Sequence, residues 1–153
     1  MIVTLKKFKK ILKKLKKENK KLVFTNGCFD IIHSGHIKLL KEAKNLGDVL
    51  IVGLNTDKSI KRIKGPQRPI NSQKDRAEVL DSIRYVDYVI LFKEDTPYKL
   101  IAEIKPDILV KGADYKVKDI VGWGIVPEVV RIKLKKGKST TNIIKKILKL
   151  QSL

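Results

Sequence analysis

Two kinds of apolar pattern alternate along this chain. Short apolar runs predict five strands at residues 22–25, 49–54, 88–92, 108–110 and 128–134, and the run at 49–54 is apolar throughout, as in a strand that is covered on both faces. Segments with apolar residues at helical spacing lie between these runs. This alternation predicts an α/β fold, a Rossmann-like, doubly wound, five-stranded parallel sheet with right-handed crossovers.

Capping and turn residues predict the ends of the helices. The first helix after a strand is predicted at about 35–45 with Gly47 as its C-cap, and Asn71 or Ser72 is predicted to cap a helix that runs to about 82. Thr96 and Pro97 stand in the N-cap and N1 order that opens a helix, and a last amphipathic helix follows the turn at 137–141. Residues 58–64 are interpreted as a short basic stretch.

The first 21 residues differ from the rest of the chain in their lysine content. Residues 1–21 are predicted to form a lysine-rich amphipathic N-terminal helix, and residues 22–153 the α/β domain. The apolar side chains of this helix share one face, which predicts packing on the core or on a partner subunit: Leu5, Phe8, Ile11, Leu12 and Leu15. Binding to a membrane surface is the alternative interpretation.

Composition narrows the class of protein. The chain has 153 residues, a length typical of a single domain, and no apolar run approaches the roughly 20 residues of a membrane span. With one cysteine, Cys28, and no signal peptide, a cytoplasmic location is expected. The formal net charge is +19. Because the lysines are spread along the chain without interleaved aromatic residues, we interpret them as a solvated surface and expect no nucleic-acid partner.

Polar residues cluster where the predicted strands end. These clusters lie at 25–36, 55–64, 111–115 and 137–141, and in a doubly wound sheet the ligand binds beyond the carboxyl ends of the strands. The first cluster carries His33 and His36 on either side of Gly35, at a turn from a strand to a helix. A zinc site would need further ligands, for which Cys28 and Asp30 are the nearby candidates. The pair is better explained as two donors to a phosphoryl group whose charge is redistributed as a bond breaks.

Other polar residues supply what phosphate binding requires. Lys61, Lys64 and Arg76 offer positive charge, and arginine can bind a phosphate with two parallel hydrogen bonds. Ser139, Thr140 and Thr141 offer hydroxyl groups and free backbone amides at the start of the last helix. The residues alone therefore predict a site for a phosphorylated ligand.

The sequence also resembles a known family. Residues 30–36, DIIHSGH, resemble the HxGH signature of the nucleotidylyltransferase superfamily, and Ser139-Thr140-Thr141 resembles its C-terminal STT element. Within the superfamily, TNGCFDIIHSGH, RPINSQKDR, LVKGADYKVKDIVG and GKSTTNIIKKI are similar to the heptose 1-phosphate adenylyltransferases of lipopolysaccharide core synthesis. The resemblance implies that ATP and D-glycero-β-D-manno-heptose 1-phosphate react to give ADP-heptose and pyrophosphate, with Mg²⁺ carried by the nucleotide and no metal ligand expected from the protein. It also implies a homodimer.

The resemblance implies a role for each matching residue. His33 and His36 would contact the triphosphate and stabilise the transition state, and Lys64 and Arg76 would hold phosphates. The residues implied to bind the nucleotide are Thr25, Asn26, Gly27, Phe29, Asp30, Gly35, Lys111, Gly112, Ser139, Thr140 and Thr141. Those implied to bind the second substrate are Asn55, Asp57, Lys61 and Asp114.

Three departures from the family bear on the substrate. No sugar kinase segment is joined to the sequence, so another protein is expected to supply the heptose 1-phosphate. Residues 122–127 are shorter than the family's corresponding stretch and lack its helix, and the charge of +19 is unusually high. The alternatives are a glycerol 3-phosphate cytidylyltransferase, with CTP in place of ATP, and an FAD synthetase of the same superfamily. An alternative of another class is a basic RNA- or membrane-binding domain with a degenerate site.

Overall fold

A single parallel sheet forms the centre of the protein. The computed structural model describes residues 1–133 and 139–151. Its strands are β1 (Leu22–Gly27), β2 (Val49–Asn55), β3 (Tyr88–Phe92), β4 (Ile108–Gly112) and β5 (Glu128–Ile132). They pair in the order β3-β2-β1-β4-β5, and every pair is parallel. The predicted Rossmann-like fold is confirmed.

Helices connect the strands and cover both faces of the sheet. They are α1 (Leu5–Lys17), α2 (Ser34–Lys44), α3 (Asp57–Lys64), α4 (Gln73–Asp81), α5 (Tyr98–Ile104) and α6 (Thr140–Gln151). A short 3-10 turn, Val117–Asp119, lies between β4 and β5. None of the described helices is both long enough and apolar enough to cross a bilayer.

The side chains of the strands alternate between two apolar layers. On β1, Leu22 and Phe24 point into one layer, whereas Val23 points into the other. The first layer is completed by α1 and α5, and the second by α2 and α4. Both faces of β2 are therefore buried over its whole length, which explains its continuous apolar run.

Strand ends differ from the prediction at four places. β1 and β4 each continue two residues further than predicted, and β2 continues one residue further to Asn55. The additional residues are polar or glycine, and parallel pairing with neighbouring strands holds them in the sheet although their composition signals a break. β5 ends at Ile132. Leu134 and residues 137 and 138 of the predicted turn lie outside the described residues.

Two predictions about helix ends were wrong, and one helix was not predicted. Helix α2 ends at Asn45 as its C-cap, so Gly47 is not the cap. A Cβ at Gly47 would lie 2.7 Å from the Lys21 carbonyl oxygen, so a close approach of two chain segments requires this glycine. Residues 57–64 form helix α3, which Thr56 caps through Ser59 N–H. Pro97 is the N-cap of α5 without a side-chain cap, so Thr96 does not serve as one.

The N-terminal helix packs on the sheet as its pattern predicts. Thr4 caps α1 by accepting a hydrogen bond from Lys7 N–H. Phe8 is fully buried, and its ring meets the ring of Tyr88 edge-on at 5.1 Å between centroids. Leu12 and Leu15 are buried in the same apolar layer as β1 and α5.

Candidate active site

A cavity of about 400 Å³ opens at the carboxyl edge of the sheet. The loops after β1, β2, β3 and β4 meet there with the start of α6. This edge is where ligands bind in doubly wound sheets. The predicted site residues that line the cavity are Asn26, Gly27, Phe29, Asp30, His33, Gly35, His36, Asn55, Lys64, Lys111, Gly112, Asp114, Ser139, Thr140 and Thr141.

Four predicted site residues do not line this cavity: Thr25, Asp57, Lys61 and Arg76. Thr25 is fully buried in β1 and its hydroxyl donates to the Val110 carbonyl, 3.0 Å away. Lys61 is exposed on α3. Asp57 and Arg76 are bonded to each other behind the cavity wall, at 2.7 Å.

Arg76 joins three segments of the chain. Its side chain is fully buried, and its Nη1 donates to the carbonyl oxygen of Cys28 at 2.6 Å. Its Nε donates to the Asn71 carbonyl at 3.1 Å and its Nη2 to Asp57. All three nitrogens of the guanidinium group are thus bonded within the protein. The residue is placed to hold the turn after β1 in position, and a direct contact between Arg76 and a phosphate stays a prediction.

His33 and His36 fix each other through the first turn of α2. His33 is the N-cap, and its Nδ1 accepts a hydrogen bond from Gly35 N–H at 3.1 Å. Nδ1 of His36 accepts from the backbone N–H of His33 at 3.4 Å, which completes a capping box made of two imidazoles. Because Nδ1 of each ring accepts a hydrogen bond, Nε2 carries the proton when the ring is neutral. Both residues line the cavity, and Nε2–H is the donor group of each neutral ring.

The environment keeps His36 neutral. Burial, and secondarily the neighbouring His33, lowers the pKa of His36 from 6.5 to about 4. The two imidazole rings are in contact, with centroids 3.9 Å apart and planes tilted by 31°. The ring of Phe29 contacts His36 from another side at 5.2 Å, on a backbone with φ 44° that a bulky residue rarely adopts. His36 is thus positioned as a neutral hydrogen-bond donor.

Gly27 provides the space for this arrangement. A Cβ on Gly27 would lie 3.1 Å from the Phe29 ring, so a side chain there would push the ring out of place. The absence of a side chain at the end of β1 therefore permits the contact between Phe29 and His36.

Asp30 anchors a second loop to the histidine turn. Its buried carboxylate accepts backbone hydrogen bonds from Ile70 and Asn71 and one from Nε of Arg68, all between 2.9 and 3.0 Å. Burial by itself would raise the pKa of Asp30, but these donors outweigh it and lower the pKa. Because its oxygens are occupied, Asp30 acts on a ligand through the position of Arg68, which lines the cavity.

Lys111 brings a positive charge to the opposite wall. Its Nζ donates to the Asn26 carbonyl at 3.2 Å and lies 5.5 Å from the centre of the Tyr115 ring. Burial lowers the pKa of Lys111 to about 8, so the ammonium group is still mostly charged at pH 7. Next to it, Asn26 Oδ1 is buried and has no hydrogen-bond partner among the described residues. A bound ligand can donate to this oxygen.

The start of α6 is tied to the histidine turn. Thr140 Oγ1 donates to the Ile31 carbonyl at 3.3 Å, across more than 100 residues of sequence. Ser139 Oγ accepts from Asn142 N–H at 3.1 Å and so caps the helix. The two predicted motifs therefore form one site, in which a helix N-terminus faces the same cavity as the imidazoles.

Six cavity residues were not among the predicted site residues. They are Cys28, Leu39, Ile63, Arg68, Asp95 and Tyr115. Arg68 is the first residue of the RPINSQKDR segment, which resembles the family. Arg76, in the same segment, was the arginine predicted to hold phosphates. Asp95 follows β3, and nothing local distinguishes it. Its position depends on the pairing of β3 with β2 and on Nε of Arg62, 2.7 Å from its Oδ1.

No protein-based metal centre is present among the residues that the structure describes. There, no three histidine, cysteine or acidic side chains come together as a metal site would require. The cavity instead offers imidazole N–H, ammonium, guanidinium and hydroxyl groups, a set of donors that suits phosphate oxygens.

Comparison with known proteins places these motifs in a family. Residues 24–146 match the family model described as cytidylyltransferase-like. The chain is 63% identical to the bifunctional protein HldE of Campylobacter concisus over 131 residues, which is 86% of this chain and 28% of that protein. It is 56% identical to the bifunctional protein HldE of Aliarcobacter butzleri over 146 residues, or 95% of this chain and 31% of the relative. The chain thus spans under a third of the length of these relatives.

Solved structures give a consistent result. A lipopolysaccharide core biosynthesis protein from Thermoplasma volcanium is 36% identical, with a TM-score of 0.65, and the match covers 76% of this chain and 99% of that one. A pantoate-β-alanine ligase from Francisella tularensis also has a TM-score of 0.65 but is 20% identical, and it shares the fold alone. With the HxGH turn and the STT helix start on one cavity, and with the family model matching most of its length, this chain belongs to the cytidylyltransferase-like family of nucleotidyltransferases.

Proposed function

We propose that this chain joins ATP and D-glycero-β-D-manno-heptose 1-phosphate to give ADP-heptose and pyrophosphate. The paired Nε2–H donors of His33 and His36, beside the N-terminus of α6, are the observation that supports nucleotidyl transfer. The heptose substrate rests on the motif resemblance and on 55–63% identity to HldE proteins.

The main requirement of this reaction is to stabilise the negative charge on phosphate oxygens. A phosphate oxygen of the sugar phosphate attacks the α-phosphorus of ATP, the bond from that phosphorus to the bridging oxygen breaks, and pyrophosphate leaves with the electron pair. No general base is required because the sugar phosphate is already an anion. Charge grows on the oxygens around the α-phosphorus, where fixed N–H donors stabilise the transition state more than the ground state.

Each part of the cavity has a proposed task. The imidazoles of His33 and His36 donate to oxygens of the α- and β-phosphates, and Lys64 and Arg68 balance the charge of the triphosphate. Lys111 and the start of α6 bind the nucleotide. Asn55 at the end of β2 and Asp95 after β3 lie on the other side of β1 from Lys111, and we assign them to the sugar phosphate.

Mg²⁺ belongs to this proposal as a companion of the nucleotide. The described side chains of the cavity are mainly hydrogen-bond donors, which fits a cation that is held by the phosphate oxygens of the nucleotide. Asp114, three residues after Lys111, is a carboxylate on the same side of the cavity. When bound, Mg²⁺ supplies charge neutralisation and orientation of the triphosphate. A cytoplasmic location and a homodimer remain predictions that accompany this function.

A substrate screen tests the proposal. ATP and CTP would each be combined with heptose 1-phosphate, glycerol 3-phosphate and FMN, and pyrophosphate release would be measured. We expect release with ATP and heptose 1-phosphate, in the presence of Mg²⁺, well above all other pairs. A preference for CTP with glycerol 3-phosphate, or for ATP with FMN, would replace the heptose assignment by that alternative. No release with any pair would contradict the enzyme itself.

A further inference from the structure

Helix α1 concentrates the positive charge of the molecule. Ten lysines and one glutamate lie within residues 1–21, which therefore carry +9 of the formal +19. The sequence pattern suggested lysines spread over the whole surface, but nearly half of the excess charge comes from these 21 residues, and eight of their ten lysines lie in α1. Lys6, Lys10, Lys13 and Lys17 are exposed and follow helical spacing on the side of α1 opposite its buried apolar residues.

Most of these lysines have no acidic partner. Lys9 pairs with Glu103 at 2.5 Å and Lys14 with Glu18 at 3.8 Å. For the other six lysines of α1, no carboxylate among the described residues lies within 4.0 Å; these are Lys6, Lys7, Lys10, Lys13, Lys16 and Lys17. This charge is therefore available to an external anion.

The charged surface continues beyond the helix. Lys20, Lys21 and Lys105 join Lys16 around a concave area before β1 and β4, at the amino edge of the sheet. The carboxylate of Asp107 in the same area accepts the backbone N–H of Leu22 at 2.7 Å, so it is engaged with the main chain. We call residues 6–21 together with Lys105 the basic surface. Its members Lys16, Lys20, Lys21 and Lys105 thus lie at the edge of the sheet opposite to the carboxyl edge, where the active-site cavity opens.

We propose that the basic surface binds the phosphate headgroups of an anionic membrane. Clusters of four to eight lysines on an amphipathic helix are typical of attraction to acidic lipids. Because Phe8, Leu12 and Leu15 are buried against the sheet, α1 has no apolar face to insert into the bilayer. The binding is therefore electrostatic and reversible by salt. The active-site cavity stays open to its substrates on the other edge of the sheet.

The composition of the basic surface favours lipid over nucleic acid. It contains lysine but no arginine, and its one aromatic residue, Phe8, is fully buried. Single-stranded nucleic acids are bound by stacking bases on exposed aromatic side chains, and arginine predominates in specific phosphate and base recognition. A surface of lysine point charges needs only a dense array of phosphates, which a bilayer of acidic lipids presents.

Vesicle sedimentation tests this proposal. The full chain is incubated with vesicles of phosphatidylcholine alone, or of phosphatidylcholine with phosphatidylglycerol, at low and high salt. We expect binding only to the vesicles with phosphatidylglycerol and release at high salt. A variant with Lys6, Lys10, Lys13 and Lys17 changed to glutamine should bind on the order of tenfold more weakly or worse.

A matched variant separates the surface from the overall charge. It has Lys74, Lys118, Lys145 and Lys146 changed to glutamine, so it loses the same charge from exposed positions elsewhere. This variant should bind vesicles nearly as the unmodified chain does, and both variants should release pyrophosphate normally. Equal weakening in the two variants, no binding to acidic vesicles, or displacement of the chain from vesicles by a double-stranded RNA present at lower phosphate concentration would each overturn the proposal.

Discussion

At the scale of single residues, His33 and His36 each have two tasks, one structural and one chemical. Nδ1 of each ring caps the helix, and Nε2 is the nitrogen that we propose to donate to the substrate. The spacing of the two histidines predicted that both belong to the site. It could not predict that each ring fixes the other, because that depends on the backbone geometry at the start of α2.

Changing His33 to asparagine separates the two tasks. Asparagine is also a good N-cap residue, so the free energy of unfolding should stay within about 1 kcal/mol of the unmodified protein. Asparagine has no imidazole ring and therefore lacks the Nε2–H donor of His33, so turnover should fall on the order of 100-fold. Urea denaturation and the rate of pyrophosphate release measure the two quantities.

The control for this variant is Thr4→Ala. This change removes the cap of α1, far from the cavity, and should cost about 1 kcal/mol of stability while turnover is retained. Full turnover in His33→Asn would contradict the role that we assign to the imidazole.

His36 should make stability depend on pH. Its pKa is about 4 in the folded protein and 6.5 in the unfolded chain, so between these values the unfolded chain binds more protons. The unfolding free energy should therefore fall as the pH falls from about 6.5 towards 4, by up to about 1.4 kcal/mol per pH unit. His36→Gln can keep the capping hydrogen bond but does not titrate, so its loss of stability between pH 7.5 and pH 5 should be smaller. Equal losses by urea denaturation would show that His36 does not contribute.

The deprotonation of Lys111 should limit kcat/KM for ATP at alkaline pH. Its pKa of about 8 means that it loses its charge just above physiological pH, whereas burial raises the pKa values of Cys28 and Tyr115 in the same cavity. The value of kcat/KM for ATP should therefore decline above pH 8. Lys111→Arg keeps its charge, so its decline should move to higher pH. An unchanged pH profile in this variant would assign the limit to another group.

At the scale of elements, the strands were easier to predict than their connections. Apolar runs identified all five strands. Burial between two helical layers explains the run of β2, which has no polar face, whereas β5 has exposed polar residues, Glu128 and Arg131, and was identified by the apolar residues between and after them. Helix α3 was missed because Lys58, Lys61, Arg62 and Lys64 dominate its composition. Its stability comes from the cap at Thr56 and from tertiary contacts of two buried residues, Ser59 and Ile60, which a local pattern does not show.

Arg76 shows how elements are held around the site. Arg76→Lys keeps the charge but loses the planar group that reaches Cys28, Asn71 and Asp57 together. We expect a loss of about 2 kcal/mol in unfolding free energy. Turnover should fall on the order of tenfold, because the histidine turn is no longer held in place.

Arg84→Lys is the matched control for this variant. Arg84 is exposed, and its hydrogen bond among the described residues is to the neighbouring Tyr85, so the same chemical change there should alter neither quantity. A stable Arg76→Lys protein with reduced affinity for ATP alone would indicate that Arg76 contacts the nucleotide directly.

At the scale of the whole molecule, α1 and the sheet share one apolar layer. Phe8 of α1 lies in the same buried cluster as Phe24 of β1 and as Ile120 and Val126, which flank the exposed Trp123. The lysine content of residues 1–21 predicted a helix with one apolar face. It could not show how fully this face is integrated into the core, because the partners of Phe8 come from distant segments.

Phe8→Ala should therefore weaken the whole fold and not only the N-terminal helix. Removing a fully buried phenylalanine side chain costs about 3–5 kcal/mol, whereas the exposed Lys10→Ala should cost little. Trp123 is the sole tryptophan, so its fluorescence reports the far side of this layer, and circular dichroism reports the helices. In urea, both signals of the Phe8→Ala protein should move together to a lower midpoint with an unchanged slope, as expected of one cooperative unit. An early loss of helical signal while Trp123 fluorescence keeps its original midpoint would mean that residues 1–21 unfold on their own.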